Sequence, residues 1–240
     1  GPKLLATAPT QVVKAIKATV SRHESPDRAI QAARSLRRQE LARIASADLL
    51  NMLTVQEVCQ SLSLVWDAVL DAALDAEIRA ALNDPQKPDQ PLANISVIGM
   101  GRLGGAELGY GSDADVMFVC EPVAGVEEHE AVTWSIAICD SMRSRLAQPS
   151  GDPPLEVDLG LRPEGRSGAI VRTVDSYVKY YEKWGETWEI QALLRAAWVA
   201  GDRELGIKFL ESIDRFRYPV DGATQAQLRE VRRIKARVDN

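Results

Sequence analysis

Long apolar runs are missing from this chain of 240 residues, and so is any surplus of positive charge. No stretch approaches the roughly 20 apolar residues that cross a bilayer, and no basic segment followed by an apolar core marks a signal peptide. The formal net charge of −5 provides no basic field for a nucleic-acid backbone, so nucleic acid is not an expected partner. Only three cysteines occur, Cys59, Cys120 and Cys139, and their spacing is not that of metal ligands. They read as small core residues in a reducing, cytoplasmic compartment. The two histidines, His23 and His129, stand in polar surroundings without a partner motif and carry no expected role. The chain opens Gly1-Pro2 without a methionine, the pattern of a tag-cleavage remnant on an excised fragment. What remains, 45% hydrophobic and 26% charged, is the make-up of an ordinary globular protein with one large core or two modest ones.

The most informative stretch is residues 95–120. Ile95 to Met100 has the length and β-branched content of a buried strand. Five glycines follow, at 101, 104, 105, 109 and 111, so the backbone must turn sharply or approach something closely. Asp113 and Asp115 then lead into a second apolar run, Val116 to Cys120. If Asp113 begins that strand, the period of two puts both carboxylates on one face, about 7 Å apart, a ready ligand pair for hard divalent cations. The glycine-rich turn can offer backbone N–H groups to phosphate oxygens. Asp-x-Asp alone is more often a solvated turn or a helix cap, and a lone glycine loop is a weak signal. Apolar strands on both sides of the loop favour the functional reading.

The remainder organises around that unit. Residues 3–88 read as a helical module, with Thr10–Val20 first. A second helix from Pro26 carries Leu41, Ile44, Ala45, Leu49, Met52 and Leu53 opposite Arg37, Arg38 and Arg43. Thr54 with Glu57 forms a capping box that starts a third helix, striped by Val58, Leu62, Val65, Trp66, Val69 and Ala73. The polar, two-proline segment 83–90 is a linker, and residues 91–202 form the expected catalytic core. Within it, Glu127–Leu146 reads as a helix with Val132, Ile136, Cys139, Met142 and Leu146 inward. Leu155–Leu161 alternates as a half-buried strand that carries Asp158 in its middle. A mid-strand carboxylate is costly to bury unless paired or bound to a cation, so Asp158 is the natural third partner of Asp113 and Asp115. Trp184, Trp188, Gln191, Arg195 and Trp198 recur at helical spacing and read as a packing stripe. Arg162, Arg166 and Arg195 are surface charges or phosphate ligands. Residues 203–240 read as helices that begin a further helical domain, the last with basic residues Arg229, Arg232, Arg233, Lys235 and Arg237.

Four segments together resemble a family. They are Gly-Met-Gly-Arg-Leu-Gly-Gly-Ala-Glu-Leu at 99–108, Ser-Asp-Ala-Asp at 112–115, Val-Asp-Leu-Gly-Leu-Arg-Pro-Glu-Gly at 157–165 and Trp-Glu-Ile-Gln-Ala-Leu at 188–193. The resemblance is to the bifunctional glutamine synthetase adenylyltransferase/adenylyl-removing enzymes of the DNA polymerase β-type nucleotidyltransferase superfamily. It implies an α+β fold, a small mixed sheet with flanking helices. It implies ATP as substrate, two Mg²⁺ ions held by Asp113, Asp115 and Asp158, and triphosphate contacts from Gly104, Gly105, Ser112 and Arg102. The implied reaction is transfer of AMP to a tyrosine of glutamine synthetase, with the nitrogen-regulatory P-II protein as a further partner of the long enzymes. The 99–109 and 184–198 segments look closer to the transferase half than to the half that removes AMP with phosphate. Arg102 stands where the family more often has Lys, and Gly160 and Ala197 where it often has Arg. A non-catalytic nucleotide-binding module is the rival from another class.

Overall fold

The computed structural model describes residues 9–86, 88–153, 155–220, 222 and 224–238. The expected helical module at 3–88 therefore begins outside the described residues, and the segment 203–240 ends outside them. Helix α1 spans Pro9–Val20, α2 Pro26–Leu49 and α3 Val55–Leu82. Helix α3 starts where its sequence says it should. Thr54 accepts from the Glu57 N–H while the Glu57 carboxylate takes the Thr54 N–H, a reciprocal cap. Its expected stripe is buried, from Val58 through Ala73.

Helix α2 departs from its expected stripe. Leu49 is 83% exposed, and Asn51 turns the chain through a left-handed conformation, so Met52 and Leu53 lie beyond the helix. The buried face is instead Ala29, Ile30, Ala33, Arg34, Arg37, Ile44 and Ala47. Arg37, expected on the solvated side, sits over the Trp66 ring at 5.4 Å. Arg34 donates to the carbonyls of Leu146 and Gln148, at 2.8 and 2.9 Å. Long apolar stems and partnered guanidinium groups let arginines occupy positions that a hydropathy stripe assigns to leucine.

The sheet has strand order β3-β2-β1-β5, where β1 is Ala93–Gly99, β2 Ala114–Pro122, β3 Val157–Asp158 and β5 Ala197–Gly201. Strand β4, Val171–Thr173, pairs with β2 further along the same edge as β3. Strands β1 and β2 are antiparallel, as are β1 and β5, while β3 and β4 run parallel to β2. This is a mixed sheet among helices, an α+β fold.

Alternation along the strands divides the core between two faces. Val97, Val116, Phe118 and Cys120 pack with α1–α3 and with α5, Glu128–Leu146. Ile98, Met117 and Val119 point the other way, towards α6, Val174–Trp184, and α8, Arg203–Arg217. Tyr177 of α6 is fully buried there and donates its hydroxyl to the Phe118 carbonyl at 3.0 Å. Leu205, Phe209 and Ile213 of α8 belong to this same cluster. In α5 the buried face is Ala131, Trp134, Ser135, Ile138, Cys139, Met142 and Leu146. Val132 and Ile136 are only partly buried.

Two further expectations change. The tryptophans do not share one helix. Gly185 ends α6, α7 occupies Thr187–Leu193, and Trp198 lies on β5; Trp184 is 63% exposed. The expected strand 155–161 shrinks to two residues because β2 offers it only Ala114 and Asp115 as partners. Beyond them the Asp158 carboxylate captures the Gly160 N–H and turns the chain. Helix α9 spans Gln225–Val238.

Candidate active site

The site is built where β1 ends and β2 begins. Gly101–Gly104 forms one short helical turn, α4, between the two strands. Gly101 has φ of +51°, a conformation that glycine adopts without penalty. A Cβ built on Gly101 would lie 2.5 Å from Asp115 Oδ2. The bare backbone is what admits the carboxylate. Gly104 has a different duty: a Cβ there would fall 2.0 Å from the Arg195 carbonyl and 2.3 Å from that of Gly99. It seats the turn between backbones, so a bulky residue there would disturb the fold before it touched a ligand. Gly105 is exposed, and a Cβ built on it would come no closer than 3.4 Å, to the Gly101 carbonyl oxygen.

Ser112 closes the next turn, its hydroxyl accepting from the Gly109 N–H at 3.0 Å and its N–H donating back to the Gly109 carbonyl. That turn delivers Asp113 immediately before β2. Arg102 is exposed, and its Nε donates to the Glu107 carbonyl at 3.1 Å, folding the side chain over its own loop. Ala106 holds a left-handed conformation at φ +54° beside it. The loop is fastened from outside as well. The Ser63 hydroxyl of α3 receives the Leu108 N–H, and Tyr110 donates to Asp48 at the end of α2 at 3.0 Å.

Asp115 and Asp158 are register partners across the parallel β2–β3 pair, so their side chains leave the sheet on the same side. Asp113 precedes Asp115 by two and shares that side. Burial pushes the Asp115 carboxyl up to about 6, with the Asp113 and Asp158 charges adding to the rise. Among the described residues no lysine or arginine forms an ion pair with any of the three. Nor are any three His, Cys, Asp or Glu side chains among them gathered tightly enough to hold an ion as they stand. The donor set is nonetheless one that hard cations take: oxygen ligands of like charge, without cationic partners, around a glycine that makes room.

The arginines separate into distinct roles. Arg162 is buried and spends its guanidinium on the carbonyls of Leu159, Arg166 and Gly168, which folds the turn after Asp158. Arg195 pairs with Glu107 at 2.7 Å across the exposed glycine turn. Arg166 is exposed and forms no ion pair among the described residues. Sequence reasoning chose Gly104 and missed Gly101. The five-glycine cluster contained the signal, but only three-dimensional neighbours tell a close approach to a side-chain carboxylate from a close approach to backbone. It gave Ser63, Asp48 and Glu107 no part in fastening this loop, because nothing local marks a contact whose partner lies 45, 62 or 88 positions away.

A family described as glutamate-ammonia ligase adenylyltransferase matches residues 1–212. The bifunctional glutamine synthetase adenylyltransferase/adenylyl-removing enzyme of Corynebacterium efficiens is 80% identical over the whole of this chain, which covers 23% of that protein. The enzymes of the same name from Mycobacterium tuberculosis and Nocardia farcinica are 60% and 58% identical, again over the whole chain and 24% of their own length. The chain thus spans about a quarter of the length of these relatives. Because the match covers both strands, the glycine turn and all three carboxylates, the chain belongs to the glutamate-ammonia ligase adenylyltransferase family.

Proposed function

We propose that this chain is a nucleotidyltransferase unit that moves AMP from ATP to a tyrosine hydroxyl of glutamine synthetase. The observation that carries the reading is the register of Asp115 with Asp158 on one side of β2–β3, with Asp113 two residues earlier and a glycine turn shaped around Asp115. The names of the relatives point to the protein substrate, and the family description supports the transfer direction over removal, which the relatives' names also carry.

Asp113 and Asp115 would hold Mg²⁺, with Asp158 adding an oxygen; the cation supplies Lewis-acid stabilisation of charge on the phosphoryl oxygens. The chain's own residues do the rest. Gly101 keeps Asp115 in place, and the exposed Gly105 turn, with Arg102 and Arg195 nearby, receives the β- and γ-phosphates. The Gly160 N–H donates to Asp158 Oδ1, which fixes the carboxyl that would orient the tyrosine hydroxyl and take its proton. The new bond joins the tyrosine oxygen to the α-phosphorus; the bond to the β-bridging oxygen breaks, and pyrophosphate leaves. Positioning and charge neutralisation account for most of such a rate enhancement, so no reactive side chain beyond the carboxylates is required. The P-II protein is a partner of this reading through the longer relatives. A cytoplasmic setting follows from the substrate, and among the described residues no helix is long and apolar enough to cross a membrane.

The test supplies labelled ATP with unmodified glutamine synthetase, and separately AMP-modified synthetase with phosphate. Label reaching the synthetase, lost when Asp113 and Asp115 are both changed to Asn, supports transfer. Release of ADP in the second tube alone would assign the chain to removal.

A further inference from the structure

A recess opens beside the carboxylates, away from the glycine turn. It is an open cleft of ≈ 610 Å³ between the C-terminal turn of α5 and the β3 edge. Its lining combines three acidic residues, Asp113, Glu156 and Asp158, with three basic ones, Arg143, Arg162 and Arg166. No residue of the 99–107 segment lines it. The strand order explains the separation. The glycine turn packs on β1, β2 and β5, whereas the cleft flanks β3, the opposite edge of β2. The glycine turn and the cleft thus lie towards opposite edges of β2, with the carboxylates at its start between them.

In-line displacement demands this arrangement, because the attacking oxygen must approach the phosphorus opposite the leaving pyrophosphate. With the polyphosphate on the glycine-turn side, the acceptor has only the β3 side from which to enter. Building on the function proposed above, we infer that this cleft is the docking site for the acceptor segment of the protein substrate. Arg166 and Arg143 select a segment with acidic residues flanking its hydroxyl.

The charges specify the partner. Arg162 is spent on backbone carbonyls, and the half-exposed Arg143 holds Asp140, at 2.8 Å. Arg166 is exposed, and among the described residues its guanidinium has neither an ion pair nor a hydrogen bond. The lining contains two of the three carboxylates that cations would neutralise. With those two neutralised, three guanidinium groups face one remaining carboxylate, Glu156, and Arg166 alone among them has no partner among the described residues, so an acidic polypeptide is the complementary occupant. A cleft of this volume has room for a side chain with its neighbouring backbone, far more than the ≈ 30 Å³ of a water.

The experiment measures two affinities in Mg²⁺-containing buffer, that of unmodified glutamine synthetase without nucleotide and that of ATP without synthetase. It compares the unaltered chain with Arg166→Glu and Arg166→Lys. Arg166→Glu should weaken synthetase binding about tenfold or more, as reversal of an interfacial charge does, and Arg166→Lys should restore most of it. ATP affinity should stay within about twofold in both variants, since the cleft is separate from the glycine turn. If ATP affinity falls while synthetase binding holds, Arg166 is a triphosphate ligand and the inference is overturned. Unchanged affinity for both would equally overturn it. A chain that binds synthetase through Arg166 yet binds no ATP would refute the nucleotide reading while supporting the docking site. Matching circular dichroism spectra exclude misfolding of an exposed substitution.

Discussion

Replacing Asp67 with Asn should make the protein more stable at pH 8 and remove a pH dependence that the unaltered chain shows. Asp67 lies on α3 in the layer that packs against the sheet, and its Oδ1 is buried without a hydrogen-bond partner. Burial pushes its carboxyl up to about 7 from an ordinary 3.8, with the Asp71 charge one turn along adding to the rise. Asp71 itself is well provided for, accepting from the Gly201 N–H at 2.9 Å and pairing with Lys17. The repulsion is therefore borne by Asp67. Between about pH 4 and pH 7 the folded chain holds a proton on Asp67 that the unfolded chain has lost, so stability falls as pH rises through that window. At about 1.4 kcal/mol for each tenfold change in proton affinity, the rise to about 7 sets an upper bound of about 4 kcal/mol. Partial solvation of the carboxyl brings the expected span to about 2–3 kcal/mol. Asn keeps the shape without the charge, although its amide leaves one atom equally unpartnered at a cost of about 1 kcal/mol. The net gain at pH 8 should be about 1–2 kcal/mol, with little change at pH 5. Urea unfolding of both proteins from about pH 5 to pH 8 checks this. Parallel stability curves across that range would show that Asp67 is solvated and refute the reasoning.

Two other substitutions separate kinds of contribution. Gly101→Ala places a methyl 2.5 Å from Asp115 Oδ2 in a left-handed backbone, so Mg²⁺-dependent ATP binding should fall at least about tenfold while the fold survives. Gly104→Ala meets two carbonyls and should instead lower the unfolding midpoint, which thermal melts with and without ATP would distinguish. Arg34→Ala removes the donor to the carbonyls at the end of α5 and leaves them buried. The expected loss is about 2–4 kcal/mol in chemical denaturation, more than exposed Arg38→Ala would cost.

Local chemistry fixed some of this structure on its own. The Thr54–Glu57 cap, the α3 stripe and the two apolar runs around the glycines need only neighbours within a few positions, so propensity and period reveal them. The period of two likewise set Asp158 opposite Val157 and Leu159, which are buried while it is only partly so. Other features depended on partners far along the chain. Whether Leu155–Leu161 made a long strand was decided by how much edge β2 offered, and β2 offered two residues. Whether Arg34 and Arg37 faced solvent was decided by carbonyls more than 100 positions away. The duties of Gly101 and Gly104 are identical in sequence terms, and only the arrival of Asp115 at one and Arg195 at the other distinguishes them. Asp67 shows the same limit: its charge is ordinary in the sequence, and only burial beside Asp71 gives it an energetic cost.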